Sequence, residues 1–378
     1  MTLDRRHLMA SGAAGLALAG CASLRGSPRS LRVVLLGQAL IEHAPTASEW
    51  PGRPAIAARL ASADSVFTNL ETVIRGPRAG APTRDLLTLH AAGPEILEAL
   101  KSVDVNLLTT ANNHTFDLGS GGILDTLVAL RATGLPSSGS GANLAEASAP
   151  AFVDTAAGRV AVVGFATGKV REGGMATEVR PGVNELRRDA DGTLHAGDEA
   201  RVMDAIRQAA ATARLVIACH HNHDWEADNS LVPPWQQALA RRCVDAGADV
   251  FAGHGSPLPQ GMSVHRGKPL LYGLGNFIFQ TEKVAGSYPP EAWTSVIVHL
   301  ERRADGRIET RLQPIAMNET GLGGAEDLAT RGFPRLADSE QAAAILARID
   351  RLSRPLGGRI QSGADGGHLR AGNALQPG

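Results

Sequence analysis

Aromatic side chains are scarce: 4% of the chain, with two tyrosines and four tryptophans. Stacking platforms for bases or sugars are therefore not expected. Neither sign of charge prevails, since 37 Lys and Arg face 38 Asp and Glu, for a net charge of −1. No global basic field draws the chain to nucleic acid, which is not expected as a partner. The three cysteines, Cys21, Cys219 and Cys243, have no zinc-type spacing. Beyond the first 21 residues no apolar run is long enough to cross a bilayer. What is abundant is glycine, 43 residues in 378, which suits many tight strand-to-helix turns.

The N-terminus reads as an address. Arg5-Arg6-His7-Leu8-Met9 looks like a twin-arginine export signal, followed by a short Ala/Gly/Leu-rich segment. It ends Leu18-Ala19-Gly20-Cys21, which resembles a bacterial lipoprotein cleavage box. The resemblance implies lipidation of Cys21 and anchorage at the extracytoplasmic face of a membrane, without a spanning helix. The alternative is a soluble periplasmic protein cut nearby. Cys219 and Cys243 then remain, open to one disulfide in an oxidising compartment but expected as two buried free thiols, since one ends a strand and the other sits in a helix.

The expected organisation is a signal over residues 1–21, a linker over 22–30, one domain over 31–353 and a disordered Gly/Arg-rich tail over 354–378. Apolar runs at 31–36, 65–69, 103–109, 215–219 and 248–252 read as strands, with helical patterns at 54–63, 93–101, 122–133, 198–213 and 234–246. The alternation argues for an α/β domain. Later strands come as hairpins, 262–265 with 269–272 and 293–301 with 307–314, and are expected to form a second, antiparallel sheet. Residues 169–193 are polar and irregular, a lid or a surface excursion.

Five strand ends carry polar clusters of one kind: Gln38 with Glu42 and His43; Asn69 with Glu71; Asn112, Asn113 and His114 with Asp117; His221 with His223; and His254. Ligands sit beyond the carboxyl ends of strands in open α/β sheets. Imidazole, carboxylate and amide oxygen together suit borderline divalent metals such as Mn, Fe or Zn. Each cluster alone is also compatible with an ordinary polar loop. His221 and His223 are two apart, so on a continuing strand they share one face.

The pattern resembles the CapA family of poly-γ-glutamate capsule biosynthesis proteins, related to calcineurin-like metallophosphoesterases. The resemblance rests on Asn69-Leu70-Glu71, on Ala111-Asn112-Asn113-His114 with Asp117 and Gly119, on His221, on Gly253-His254, and on Tyr272-Gly273-Leu274-Gly275-Asn276-Phe277. It implies a four-layer α/β/β/α sandwich with a metal site between its loops. Two places depart from the family pattern. Gln38 stands where the first strand usually exits into Gly-Asp, and Gly255-Ser256-Pro257 follows His254 where a second histidine is usual. One metal, a reorganised pair, or none are all compatible with that.

The expected chemistry is metal-assisted hydrolysis or transfer on an anionic or γ-glutamyl polymer or peptide. The expected ligands are Glu71, Asn113, His221, His223 and His254, with Gln38, Glu42, His43, Asn112 and Asn276 nearby. His114 is expected as general acid or holder of the leaving oxygen, Asp117 as its orienting partner, and Asn69 as a brace for water or substrate. Arg75, Arg78, Arg84 and Lys169 are candidate cations for an acidic polymer. The rival reading is a non-catalytic envelope lipoprotein that guides such a polymer or supports the membrane proteins of its synthase.

Overall fold

The first strand, β1 (Leu31–Leu40), is buried along its whole length except at Arg32. In a computed structural model describing residues 29–372 it is the spine of a ten-stranded sheet. The export signal, Cys21 and most of the linker lie outside the described residues. On one side β1 runs parallel to β2 (Ser65–Leu70), which runs parallel to β3 (Val105–Thr109). Apolar residues on β1 alternate between two cores. Leu31, Val33 and Leu35 point into one, Val34 and Leu36 into the other. That is the period of two a strand imposes, and with both faces buried the sequence reads as a continuous apolar run.

A second, six-stranded sheet has β4 (Ala151–Thr155) antiparallel to β5 (Gly158–Thr167), with β6 (Leu215–Asn222) and β7 (Val250–His254) parallel beyond it. Here Leu215, Ile217 and Cys219 share a core with Val33, Leu35 and Phe67 of the first sheet, while Val216 and Ala218 face outward. Helices α1 (Arg53–Leu60), α2 (Ile96–Lys101) and α3 (Gly119–Thr133) cover the outside of the first sheet. Helices α4 (Ala196–Ala210) and α5 (Pro234–Asp245) cover the second. The result is the four-layer α/β/β/α sandwich.

Three expectations need correction. The late hairpins do not form a sheet of their own. The pair β8 (Met262–His265) and β9 (Lys268–Leu271) joins the second sheet, because β9 pairs parallel with β7. After β10 (Asn276–Phe279), which pairs with the end of β1, come β11 (Thr294–Arg302) and β12 (Ile308–Met317). They join the first sheet, because β11 pairs antiparallel with β1. Each sheet thus takes one late hairpin at an edge that would otherwise expose unpaired backbone. Second, β1 runs on to Leu40, so Gln38 lies inside the strand and not in its exit loop.

Third, the tail is not disordered up to Gly372. After α6 (Ser339–Ser353), strands β13 (Gly358–Gly363) and β14 (Gly366–Ala371) form a hairpin on β12. Its few apolar residues explain both the misreading and the fold. Ile360 and Leu369 alone enter the core, beside Ile345, Leu346 and Ile349 of α6. Residues 169–193 are irregular as expected, tied down by the short pairing of Gly182–Val183 with Ser140–Gly141. Cys219 and Cys243 are buried free thiols. Ile360→Ala is expected to lower stability to urea by roughly 2–5 kcal/mol, the usual range for emptying a core isoleucine site. A change within about 0.5 kcal/mol, typical of surface positions, would place the hairpin off the core.

Candidate metal centre

The carboxyl ends of β1, β2, β3 and β6 meet where the two sheets face each other. Strand parity decides which side chains enter. On β6, His221 shares the inner face with Cys219, while His220 turns outward against Phe165 and Trp235. The chain leaves β2 through Glu71, whose backbone N–H bonds the carbonyl of Ala39 at 2.9 Å. Glu71, His221 and His223 then offer ligand atoms that all lie within 4.8 Å of one another. His221 Nε2 is 3.4 Å and His223 Nε2 4.0 Å from Glu71 Oε1. Asn113 Oδ1 accepts a hydrogen bond from His221 Nε2 at 2.8 Å.

These groups are buried and under-satisfied. Glu71 Oε2 and both ring nitrogens of His223 have no hydrogen-bond partner among the described residues. Burial pushes the Glu71 carboxyl up to about 8, against the pull of the Arg84 guanidinium. Burial also drives His223 down to about 3 and His221 well below its ordinary value. Three such atoms side by side call for a partner. A divalent cation would match Glu71 Oε2 and one His223 ring nitrogen, the other carrying the ring proton, and these oxygen and nitrogen donors suit Mn, Fe or Zn. The residues present therefore fit one metal ion.

They do not fit a pair. Gln38 accepts a bond from the backbone N–H of Gly255 (2.8 Å) and donates to Asn276 Oδ1 (3.0 Å), so both ends of its amide are engaged. Asn276 in turn donates to the carbonyl of Ala292 at 2.9 Å. Gly255 has φ +102°, and a Cβ there would sit 2.2 Å from the Asn222 carbonyl oxygen, so only glycine brings this N–H to Gln38. His254, expected as a ligand, is not brought to the cluster. Its Nε2 lies 3.1 Å from the Leu36 carbonyl and its Nδ1 3.4 Å from Cys219 Sγ. The carbonyl only accepts, so Nε2 carries the proton and Nδ1 takes the thiol hydrogen. The ring is a cross-sheet tie with no lone pair to spare.

Beside the cluster stands a histidine–carboxylate pair. His114 Nδ1 is 2.9 Å from Asp117 Oδ2, and Asp117 Oδ1 is 2.5 Å from Arg84 Nε. Burial pushes Asp117 up to about 7 and His114 well below its ordinary value, while Arg84 pulls Asp117 down. Glu42 holds His90 Nδ1 at 2.6 Å, and the His90 and His114 rings lie 4.4 Å apart. His90 is a site residue that sequence reasoning missed, since no motif surrounds it. His43 faces away, bonded at 2.9 Å to the Ala329 carbonyl. Asn69 and Asn112 lie behind the cavity, bonded to each other at 3.1 Å.

The cavity has a volume of about 290 Å³ and is lined by Gln38, Glu71, Asn113, His114, His223 and Trp225 among others. Of the four candidate cations, Arg84 also lines it but is held by Asp117. Lys169 lines it with its ammonium 4.9 Å over the Trp225 ring. Arg78 pairs instead with Asp125, and Arg75 is exposed. A hollow of similar size at the other end of the strands, against Arg32, His299 and Asp365, holds no comparable group of ligand atoms among the described residues.

A family model described as bacterial capsule synthesis protein PGA_cap matches residues 34–281. The chain belongs to that family. It is 29% identical to an uncharacterized protein of Sinorhizobium fredii, over 87% of this chain and 90% of that protein. It is 28% identical to a probable polyglutamine synthesis accessory protein of Mycobacterium tuberculosis, over 84% and 80%. The capsule biosynthesis protein CapA of Bacillus anthracis is 29% identical over 61% of this chain and 52% of its own length. Among solved structures, a 5'-nucleotidase precursor from Thermus thermophilus is matched at 14% identity and TM-score 0.42, over 85% of this chain and 59% of that one.

Metal capture by this PGA_cap protein should depend on pH in one direction. Below about 8 the Glu71 carboxyl holds a proton that a cation must displace, whereas His221 and His223 are already neutral. Zn²⁺ affinity, measured calorimetrically, is expected to rise about tenfold per pH unit from mildly acidic pH toward 8. Glu71→Gln should flatten that slope and weaken binding. An unchanged slope in the variant would remove Glu71 from the site.

Proposed function

We propose that this chain is an exported, membrane-anchored, metal-dependent hydrolase or transferase acting on a capsule-type anionic polymer, such as a γ-glutamyl chain. One observation carries the reading: the buried, unmatched Glu71 and His223 share a cavity with the His114–Asp117 pair. Family membership supports capsule polymer metabolism as the setting. Cys21 is the proposed lipid attachment point and the twin-arginine segment the proposed export route.

Glu71 and His223 would hold the metal, with Asn113 and His221 within reach. When bound, the cation supplies a water of pKa near 7 and polarises a carbonyl or phosphoryl oxygen. The rest falls to the protein. Arg84 favours the charged form of Asp117 against its burial, and in that form Asp117 takes the Nδ1–H of His114. His114 then presents Nε2 to the cavity as a lone pair, so it acts first as a base. Having taken a proton, it returns it to the leaving group, the acid role expected from the sequence. Asn69 does not touch substrate, because both ends of its amide are engaged behind the cavity. Lys169, at the rim, is placed to meet an acidic substrate.

The rival reading, a polymer-guiding lipoprotein without turnover, draws on Gln38 and His254, whose polar atoms are spent on structure. Metal analysis of the purified protein separates the two, followed by assay on chromogenic phosphate esters and γ-glutamyl anilides. The hydrolase reading expects about one metal per chain and, in His114→Ala, a loss of roughly 10²–10⁴ in kcat with the metal retained. No bound metal after supplementation, with no turnover of either substrate class, would establish the scaffold instead.

A further inference from the structure

We propose that a relay of two asparagine amides, anchored on backbone, holds His221 as its Nε2–H tautomer, so that in the native chain His221 donates to the site and does not ligate the metal. The relay starts where backbone groups dictate the orientation. Asn112 Oδ1 accepts the backbone N–H of His114 at 3.0 Å. Its Nδ2 donates to the Leu70 carbonyl at 2.7 Å. An N–H only donates and a carbonyl only accepts, so the Asn112 amide has one permitted orientation. Nδ2 has a second hydrogen, and it goes to Asn69 Oδ1 at 3.1 Å. Asn69 must therefore turn its own Nδ2 toward His221 Nδ1, 3.1 Å away.

That bond requires a lone pair on Nδ1, so the proton of a neutral His221 sits on Nε2. A ring with that lone pair is neutral by definition. Nε2–H has its acceptor in Asn113 Oδ1 at 2.8 Å. Asn112, Asn69, His221 and Asn113 are each 4% exposed or less. For Nε2 to bind a metal the proton must move to Nδ1, where it would face the Asn69 amide hydrogens. Rotating Asn69 would only transfer the clash to Asn112, whose orientation the backbone fixes. His223 carries no such constraint, since both its nitrogens lack partners among the described residues. The cation is thus assigned to Glu71 and His223, with His221 bracing Asn113. Asn69 is the positioning residue that sets this division.

Replacing Asn69 with aspartate would reverse it. A carboxylate accepts from Asn112 Nδ2 and from a His221 Nδ1–H alike, which frees the Nε2 lone pair toward Glu71. The inference concerns the same cavity as the proposed hydrolase, but its readout needs no turnover, so the two stand or fall separately. The full chain, with isotope-labelled histidine and stripped by chelator, is examined by long-range proton–nitrogen NMR, and Zn²⁺ is then added. The native protein is expected to show His221 protonated at Nε2, with Zn²⁺ shifting the ring nitrogens of His223 and leaving the tautomer of His221 unchanged. In Asn69→Asp, His221 is expected to be protonated at Nδ1, to shift with Zn²⁺, and to tighten Zn²⁺ binding by at least about tenfold. Nδ1 protonation in the metal-free native protein, or Zn²⁺ coordination by its His221, would overturn the proposal. So would an Asn69→Asp protein that binds more tightly with the tautomer unchanged, because added charge alone would then account for the gain. If that variant does not fold, the native spectrum alone decides.

Discussion

The site depends on a carboxylate placed almost entirely out of water. Glu71 leaves β2 at the junction of two sheets and is 2% exposed, with one oxygen unmatched. An isolated buried charge is costly enough that the group normally neutralises, and Glu71 does so by holding its proton up to about 8. The surrounding sandwich fixes it there, because the Ala39–Glu71 backbone bond continues the β1–β2 ladder one step past the last strand residue. The sheet that creates the core thereby also creates an unmet electrostatic demand. His223, neutral beside it, adds one lone pair and no countercharge. A cation is the species that answers both.

The same geometry keeps Gln38 and His254 out of the donor set. At the end of β1 the backbone demands a side chain that accepts from Gly255 N–H and donates to Asn276 Oδ1. An amide does both; a carboxylate would set an oxygen against the Asn276 carbonyl oxygen, whose orientation the Ala292 and Pro257 carbonyls fix. Gln38 is therefore a structural solution at a position where the family pattern has an acid. His254 follows the same logic, spending Nε2 on Leu36 and Nδ1 on Cys219, a thiol that burial keeps protonated. The two departures are coupled, since Gln38 bonds the residue next to His254.

Much of this was legible in the sequence. Apolar runs ending in polar clusters located the strands, and strand ends in α/β sheets located the site. Spacing of two brings His221 and His223 together, with Asn113 bonded to His221 and Asp117 to His114. Three things were not legible. Whether a strand-end histidine offers a lone pair depends on what its nitrogens meet, and His254 meets Leu36 and Cys219 across a sheet interface that no local pattern encodes. His90 reaches the site through the short pairing of Val73–Ile74 with Ala91–Ala92, too brief to leave a periodic signal. The terminal hairpin puts only Ile360 and Leu369 into the core, and Gly and Arg around them mimic the composition of disorder.

Two histidines at this site carry opposite tautomers for one reason, the chemistry of the group behind each. Asp117 can only accept, and Arg84 beside it favours the charged form that does so. His114 must then protonate Nδ1 and leave Nε2 bare. Asn69 can only donate from the end it turns to His221, because Asn112 has claimed its oxygen. His221 must leave Nδ1 bare and protonate Nε2. An acid behind one ring and an amide behind the other make the first a proton acceptor and the second a donor, with no difference between the rings themselves. The distinction traces to the Leu70 carbonyl and the His114 N–H, which orient Asn112. Backbone geometry at the ends of β2 and β3 thus selects which imidazole can take a proton and which donates a hydrogen bond.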